Sequence, residues 1–205
     1  LGVFLSALSS DFICISSAEN ISNSALDKAR KKLFAMAEAH PLFEGVKKNS
    51  GKIVFGRGSP SPKIVFIGEA PGFTENELGK PFVGRSGKLL DKWVSALNIS
   101  ENEYAVINAV PCLPVDEKNS IRKPTDEEVA YFKPIVLEIL GLMKPKIIVL
   151  LGKTAASIFG VTARGQIQYI NGLKMTFVYH PAYYLRNGVD GVNDILFLKE
   201  EINKI

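Results

Sequence analysis

Residues 63–93 read KIVFIGEAPGFTENELGKPFVGRSGKLLDKW, and four consecutive β-forming residues, Ile64, Val65, Phe66 and Ile67, lie at its start. A continuous apolar run of this kind suits a parallel strand covered by helices on both faces. Directly behind it stand Gly68, Glu69, Ala70, Pro71 and Gly72. That places a carboxylate at the carboxyl edge of a sheet, where open α/β folds bind their ligands. Gly84 and Gly87 then flank Ser86 ahead of a helix predicted over 88–97, so several backbone N–H groups can face an anion such as a phosphate.

Working outward, residues 25–40 place Leu26, Ala29, Leu33, Met36 and Ala37 on one helical face, which should pack on the sheet. Residues 47–63 are polar and rich in Gly, Ser and Pro, a connection with a short β segment expected at 52–55. A second strand is expected at 104–109. Thr125-Asp126-Glu127-Glu128 then forms a capping box that starts a helix running to about Gly141. The third strand is expected at 146–151, followed by a short helix opened by Gly152-Lys153-Thr154. The fourth lies at 174–179 and ends at His180-Pro181, and a last helix covers about 190–203. Alternating strands and helices imply an α/β fold, a three-layer α/β/α sandwich around a mostly parallel four-stranded sheet. One domain is expected over 1–205, with 1–46 as an N-terminal helical extension. No internal repeat or low-complexity tract interrupts it.

A chain of 205 residues that is 46% hydrophobic has enough apolar material for a full core. Its net charge of +4 and isoelectric point near 9.0 favour a polyanionic partner, although so mild a balance is ordinary for a soluble protein. Cys14 and Cys112 are the only cysteines and lack metal-ligand spacing, which argues against a disulfide framework or a zinc site. A reducing cytoplasm is the default. Residues 1–17 are apolar, but without a basic n-region and with Asp11 interrupting them they are read as folded or cloning-derived rather than as a signal peptide. The absence of an initiator methionine suggests a processed or trimmed start. No stretch approaches the roughly 18 apolar residues needed to cross a bilayer, so no membrane association is expected.

Four motifs follow one another in order: GEAPG at 68–72, GKPFVGRSGKLL at 79–90, Asn108-Ala109-Val110-Pro111-Cys112, and His180-Pro181-Ala182. With them the chain resembles the uracil-DNA glycosylase superfamily, most closely the family 4 type of bacteria and archaea, over residues 63–186. The resemblance implies a DNA repair enzyme that flips uracil out of DNA and hydrolyses its N-glycosidic bond, leaving an abasic site. Such an enzyme must hold the base in a closed pocket and stabilise both the cation developing on the sugar and the anion forming on the base. By resemblance, Phe82 stacks on uracil, Asn108 reads its polar edge with a donor and an acceptor, and His180 donates a hydrogen bond to its O2. Ala70 occupies the uracil-side position where several branches carry an aspartate that positions water. The carboxylate must then come from Glu69, the motif-matched choice, or from Glu75. Each residue also has a plainer reading: Phe82 as core, Asn108 as a turn bond, His180 as a satisfied histidine, and either glutamate as a loop brace. His40, before Pro41, is assigned a capping role only.

Gly84-Arg85-Ser86-Gly87 and the stretch Ala182-Tyr183-Tyr184-Leu185-Arg186 are the expected DNA-gripping loops, with Tyr184 and Leu185 as candidate wedges into the gap left by the flipped nucleotide. Arg85, Lys88, Lys153 and Arg186 are candidate phosphate partners. No lysine stands in a motif for Schiff-base chemistry, so a monofunctional glycosylase is expected. Family 4 enzymes carry a 4Fe-4S cluster held by four cysteines, and here the pattern fails. Cys112 falls at one ligand position, the next lies near Tyr131, and Cys14 has no partner at Ser16 or Ser17. No cofactor and no metal are therefore expected, and the helical region before Lys47 must supply the lost cross-link by packing. The loop from Leu113 to Lys123 is also longer than in the family. Three alternatives stay open: a damage-sensing DNA-binding protein with little catalysis, a glycosylase for another deaminated base, and a nucleotide-binding α/β domain. The last lacks both GxGxxG and a P-loop lysine. The expected partner is uracil-containing DNA, met by a monomeric, cytoplasmic, nucleoid-associated protein.

Overall fold

The computed structural model describes residues 17–204. Its strands are β1 (Gly56–Gly58), β2 (Ile64–Gly68), β3 (Tyr104–Asn108), β4 (Ile147–Leu151), β5 (Gln168–Ile170) and β6 (Leu173–Val178), hydrogen-bonded in the order β1-β3-β2-β4-β6-β5. The four expected central strands are mutually parallel. The sheet nevertheless has six strands, because β1 and β5 add antiparallel edges. Each is three residues long and neither is fully buried, so neither leaves an apolar run to be read. The β segment expected at 52–55 is displaced to β1, while Ile53, Val54 and Phe55 are buried ahead of it.

All five residues of β2, β3 and β4 are buried, as strands covered on both faces should be. Side chains alternate between the two faces. Val65 and Ile67 join Ile107, Ile139 and Leu150 in one core cluster, whereas Ile64 and Phe66 join Trp93, Val149 and Leu198 in the other. Helices α1 (Ser17–Ala39), α5 (Asp126–Met143) and α6 (Lys153–Phe159) cover the first face. Helices α4 (Arg85–Leu97), α7 (Pro181–Arg186), α8 (Val192–Ile195) and α9 (Phe197–Asn203) cover the second, so the expected single last helix is broken at Leu196. Two short helices, α2 (Phe43–Lys48) and α3 (Phe73–Leu78), lie in the connections.

Local signals fix several ends. The Thr125 hydroxyl accepts from the Glu128 N–H at 3.2 Å and the Glu128 carboxylate accepts from the Thr125 N–H at 2.8 Å, which is the expected capping box of α5. On α4, Trp93 is fully buried and its indole N–H donates to the Asp190 carbonyl at 2.6 Å, fastening the segment behind α7. Within the expected N-terminal extension, Leu26, Ala29 and Leu33 of α1 are buried against the sheet and α5. Residues 1–16, with Cys14, lie outside the described residues. Among the described residues no helix is long and apolar enough to cross a membrane.

Parallel register brings the motifs to one edge. Gly68 pairs with Asn108, and the Gly152 N–H bonds the Val178 carbonyl at 2.8 Å, two residues before His180. Because Leu33 is fully buried in the shared core, Leu33→Ala should cost about 2–5 kcal/mol in urea unfolding, within a single transition. A loss below about 0.5 kcal/mol, the range of surface changes, would mean that α1 is not part of the cooperative unit.

Candidate active site

A cleft of about 760 Å³ opens at that carboxyl edge. Its floor is Phe82, held in an unusual way. Phe82 adopts φ +53°, a left-handed conformation costing a bulky residue roughly 1–3 kcal/mol. Its backbone lies so close to α4 that a Cβ on Gly87 would come within 1.9 Å of the Phe82 carbonyl oxygen. Its ring lies over Gly68, where a Cβ would approach Cε2 to 2.5 Å. The Arg57 Nε–H donates to the Pro81 carbonyl at 3.1 Å, while the same guanidinium pairs with Asp91 at 2.7 Å.

Glu75 completes this brace. Its Oε1 accepts from the Val83 N–H at 3.1 Å and the Gly84 N–H at 2.8 Å. One oxygen of the candidate water-orienting carboxylate is therefore committed to the main chain, and Glu75 braces the loop that carries Phe82. Glu69 differs. It is half-buried, lines the cleft, and its carboxylate makes no hydrogen bond or ion pair among the described residues. Ala70 beside it also lines the cleft and packs against a small apolar cluster behind.

Asn108 is 1% exposed, and one Nδ2 proton is given to the Val54 carbonyl at 3.0 Å. That bond fixes which way the amide points. It leaves Oδ1, which a Cβ on Gly68 would approach to 3.1 Å, and the second N–H for a ligand. His180 caps α7, its Nδ1 accepting the Ala182 N–H at 3.1 Å. An accepting Nδ1 carries no proton, so in the neutral ring the proton sits on Nε2. Burial lowers the imidazole from 6.5 to about 4, with the Arg186 cation adding to the shift and Glu75 opposing it. The ring lies 5.6 Å from that of Phe82. Gly152 backs it at φ +100°, where a Cβ would meet His180 Cβ at 3.1 Å.

Around the rim, Gly84, Arg85, Ser86, Ala182 and Arg186 line the cleft, and both arginines are exposed. Gly87 is buried and makes room for Phe82. Tyr184 is not placed to act as a wedge. It is 3% exposed, packs edge-on against Trp93 at 5.3 Å and donates its hydroxyl to Asp194 at 2.7 Å. Leu185 is half-buried against the same core, while the exposed apolar residues nearby are Tyr183 and Val189. Sequence reasoning missed Phe73, Pro114, Ile121 and Lys123 in the cleft lining. For the last three, only the unusual length of their loop hinted at a role.

The cysteine chemistry does not fit an iron–sulfur cluster. Such a cluster takes four thiolates, and the whole sequence holds two cysteines. Cys112 is fully buried among Ala37, Leu42, Val46, Ile53 and Phe132, and burial pushes its thiol up to about 12, with Glu128 adding to the shift. His40 leans over Tyr131 at 4.7 Å and Phe132 at 5.3 Å, while its Nδ1 accepts the Leu42 N–H at 3.2 Å. An apolar and aromatic junction occupies the position around Cys112.

The sequence matches the family model of the uracil DNA glycosylase superfamily over residues 55–200. It is 35% identical over 164 residues to a type-4 uracil-DNA glycosylase of Thermotoga maritima, covering 76% of this chain and 82% of that protein. A type-4 uracil-DNA glycosylase of Pyrobaculum aerophilum is 31% identical over 146 residues, 64% of this chain and 72% of that protein. One of Archaeoglobus fulgidus is 32% identical over 152 residues, 67% and 74% respectively. With its glycine turns, buried asparagine and neutral histidine gathered at one sheet edge, the chain belongs to the uracil-DNA glycosylase superfamily.

Proposed function

We propose that this protein releases uracil from DNA and leaves an abasic site, as a monofunctional repair glycosylase that acts as a monomer in the cytoplasm, at the nucleoid. The observation that carries this function is the neutral His180, whose Nε2–H is left as a donor in a cleft that also holds Phe82 and Asn108. Uracil extruded from the strand stacks on Phe82. Asn108 Oδ1 accepts its N3–H and the free Nδ2–H donates to O4, a pairing that the Val54 bond keeps in one orientation. As the bond from C1′ to N1 breaks, its electrons pass to the base, and His180 donates to O2 where that charge collects. Water adds its oxygen to C1′, and its proton is taken up by Glu69, the carboxylate left without a protein partner. Arg85, Ser86, Arg186 and the first N–H groups of α4 bind flanking phosphates. No step passes through a metal cluster.

Single-turnover cleavage of a uracil-containing oligonucleotide, developed with alkali, tests the assignment. His180→Ala should lose about 10²–10³ in rate, and Asn108→Ala should lose both rate and uracil preference. Glu69→Gln should lose about 10², whereas Glu75→Gln, which keeps an acceptor for Val83 and Gly84, should lose less than Glu75→Ala. Binding of uracil DNA without release of the base would instead identify a damage sensor, and release of hypoxanthine or xanthine in place of uracil would identify a different base.

The sub-saturating rate, which reports the free protein, should show no histidine limb as pH falls through 6.5, the fall coming near 4 where His180 takes up its proton. Because the folded value lies below the unfolded one, stability should rise with pH between about 4 and 6.5, and a rate limb at 6.5 would reject the neutral donor. Prolonged exposure to an iron chelator should leave both the unfolding temperature and the excision rate unchanged, and loss of either would require a bound metal.

A further inference from the structure

The long loop after β3 is an ordered hairpin that forms one lip of the cleft. Val115 and Ile121 pair as an antiparallel bridge, and the Asp116 N–H bonds the Ser120 carbonyl at 2.9 Å. Asn119 turns the chain at φ +61°, a conformation that asparagine tolerates. Two further fastenings hold the hairpin to the body of the protein. Asn119 and Asn49 exchange reciprocal amide hydrogen bonds of 3.0 Å each. Arg122 donates to the Val115 carbonyl at 3.2 Å and forks onto both oxygens of Glu128 at 2.8 and 2.6 Å. This exposed loop is therefore rigid by construction.

On this mount Ile121 is 52% exposed, and with Pro114, Arg122 and Lys123 it lines the same cleft as His180. A β-branched side chain on a braced hairpin loses little conformational freedom when it makes a contact. The acidic residues of the hairpin, Asp116 and Glu117, do not line the cleft, while the exposed Lys123 does. An apolar side chain beside a cation matches the sugar and base face of a nucleotide beside its phosphate.

We propose that Ile121 packs on the nucleotide next to the flipped one, with Lys123 on its phosphate, so that the hairpin forms a second DNA contact facing the α7 side of the cleft. This assignment rests on the proposed uracil-DNA activity. It adds a hold on the strand that neither the glycine turns nor the His180 segment provides. The hairpin would favour strands whose neighbouring base can unstack toward it, which makes single-stranded or distorted uracil sites the better substrates.

Single-turnover excision measured over a range of enzyme concentrations separates grip from chemistry. In Ile121→Asp the half-saturating enzyme concentration should rise about tenfold, in Ile121→Ala about threefold and in Lys123→Ala about threefold, in each case more than the saturated rate falls. Inhibition by free uracil, which has no flanking nucleotide, should be the same as in the wild type. An unchanged half-saturating concentration in Ile121→Asp, with wild-type excision intact, would overturn the hairpin contact alone. So would a drop confined to the saturated rate or an altered inhibition by free uracil, since either would place Ile121 inside the base pocket. Wild-type protein that releases no uracil would overturn the proposed activity and the hairpin contact together.

Discussion

The close approach of the Phe82 carbonyl to Gly87 is the constraint on which the site depends. A bulky residue enters the left-handed region only when its surroundings outweigh the strain. Here they do so from three directions. Gly87 removes the side chain that would collide, Glu75 takes two N–H groups just after the turn, and Arg57 takes the carbonyl just before it. The result is an aromatic ring laid over Gly68 beside His180, with its backbone belonging to the same short segment that caps α4. The Phe82 ring and the N-terminal end of α4 are thus set by one turn.

The sheet supplies the remaining order. Parallel pairing of β2 with β3 puts Asn108 beside Gly68, and pairing of β4 with β6 brings Gly152 and His180 together. The side chains at this edge are oriented by backbone groups: Asn108 by the Val54 carbonyl, His180 by the Ala182 N–H. Main-chain partners of this kind keep a donor or acceptor aimed before any substrate arrives, which is where enzymes gain most from fixed dipoles.

The central strands could be read from the chain because apolar runs such as 64–67 and 147–151 carry their own signal, and the α5 capping box because it spans four residues. The motif residues Glu69, Phe82, Asn108 and His180 could be read as a group, and they meet in one cleft. What could not be read depends on distant partners. Tyr184 looks like a surface aromatic until Trp93, about ninety residues away, covers one face and Asp194 takes its hydroxyl. Glu75 looks like a free carboxylate until the loop ahead of α4 folds onto it. The edge strands are three residues each, too short to show a period. Ile121 reaches the cleft only because Asn49 and Glu128 hold its hairpin there.

The junction around Cys112 has a consequence for how this protein ages. Ala37, Leu42, Cys112 and Phe132 come from four separate segments and pack in one buried cluster. A thiol that is fully enclosed and held protonated is also a poor target for oxidants. The place where α1, α2, α5 and the segment after β3 are tied together therefore offers oxidants no reactive thiolate.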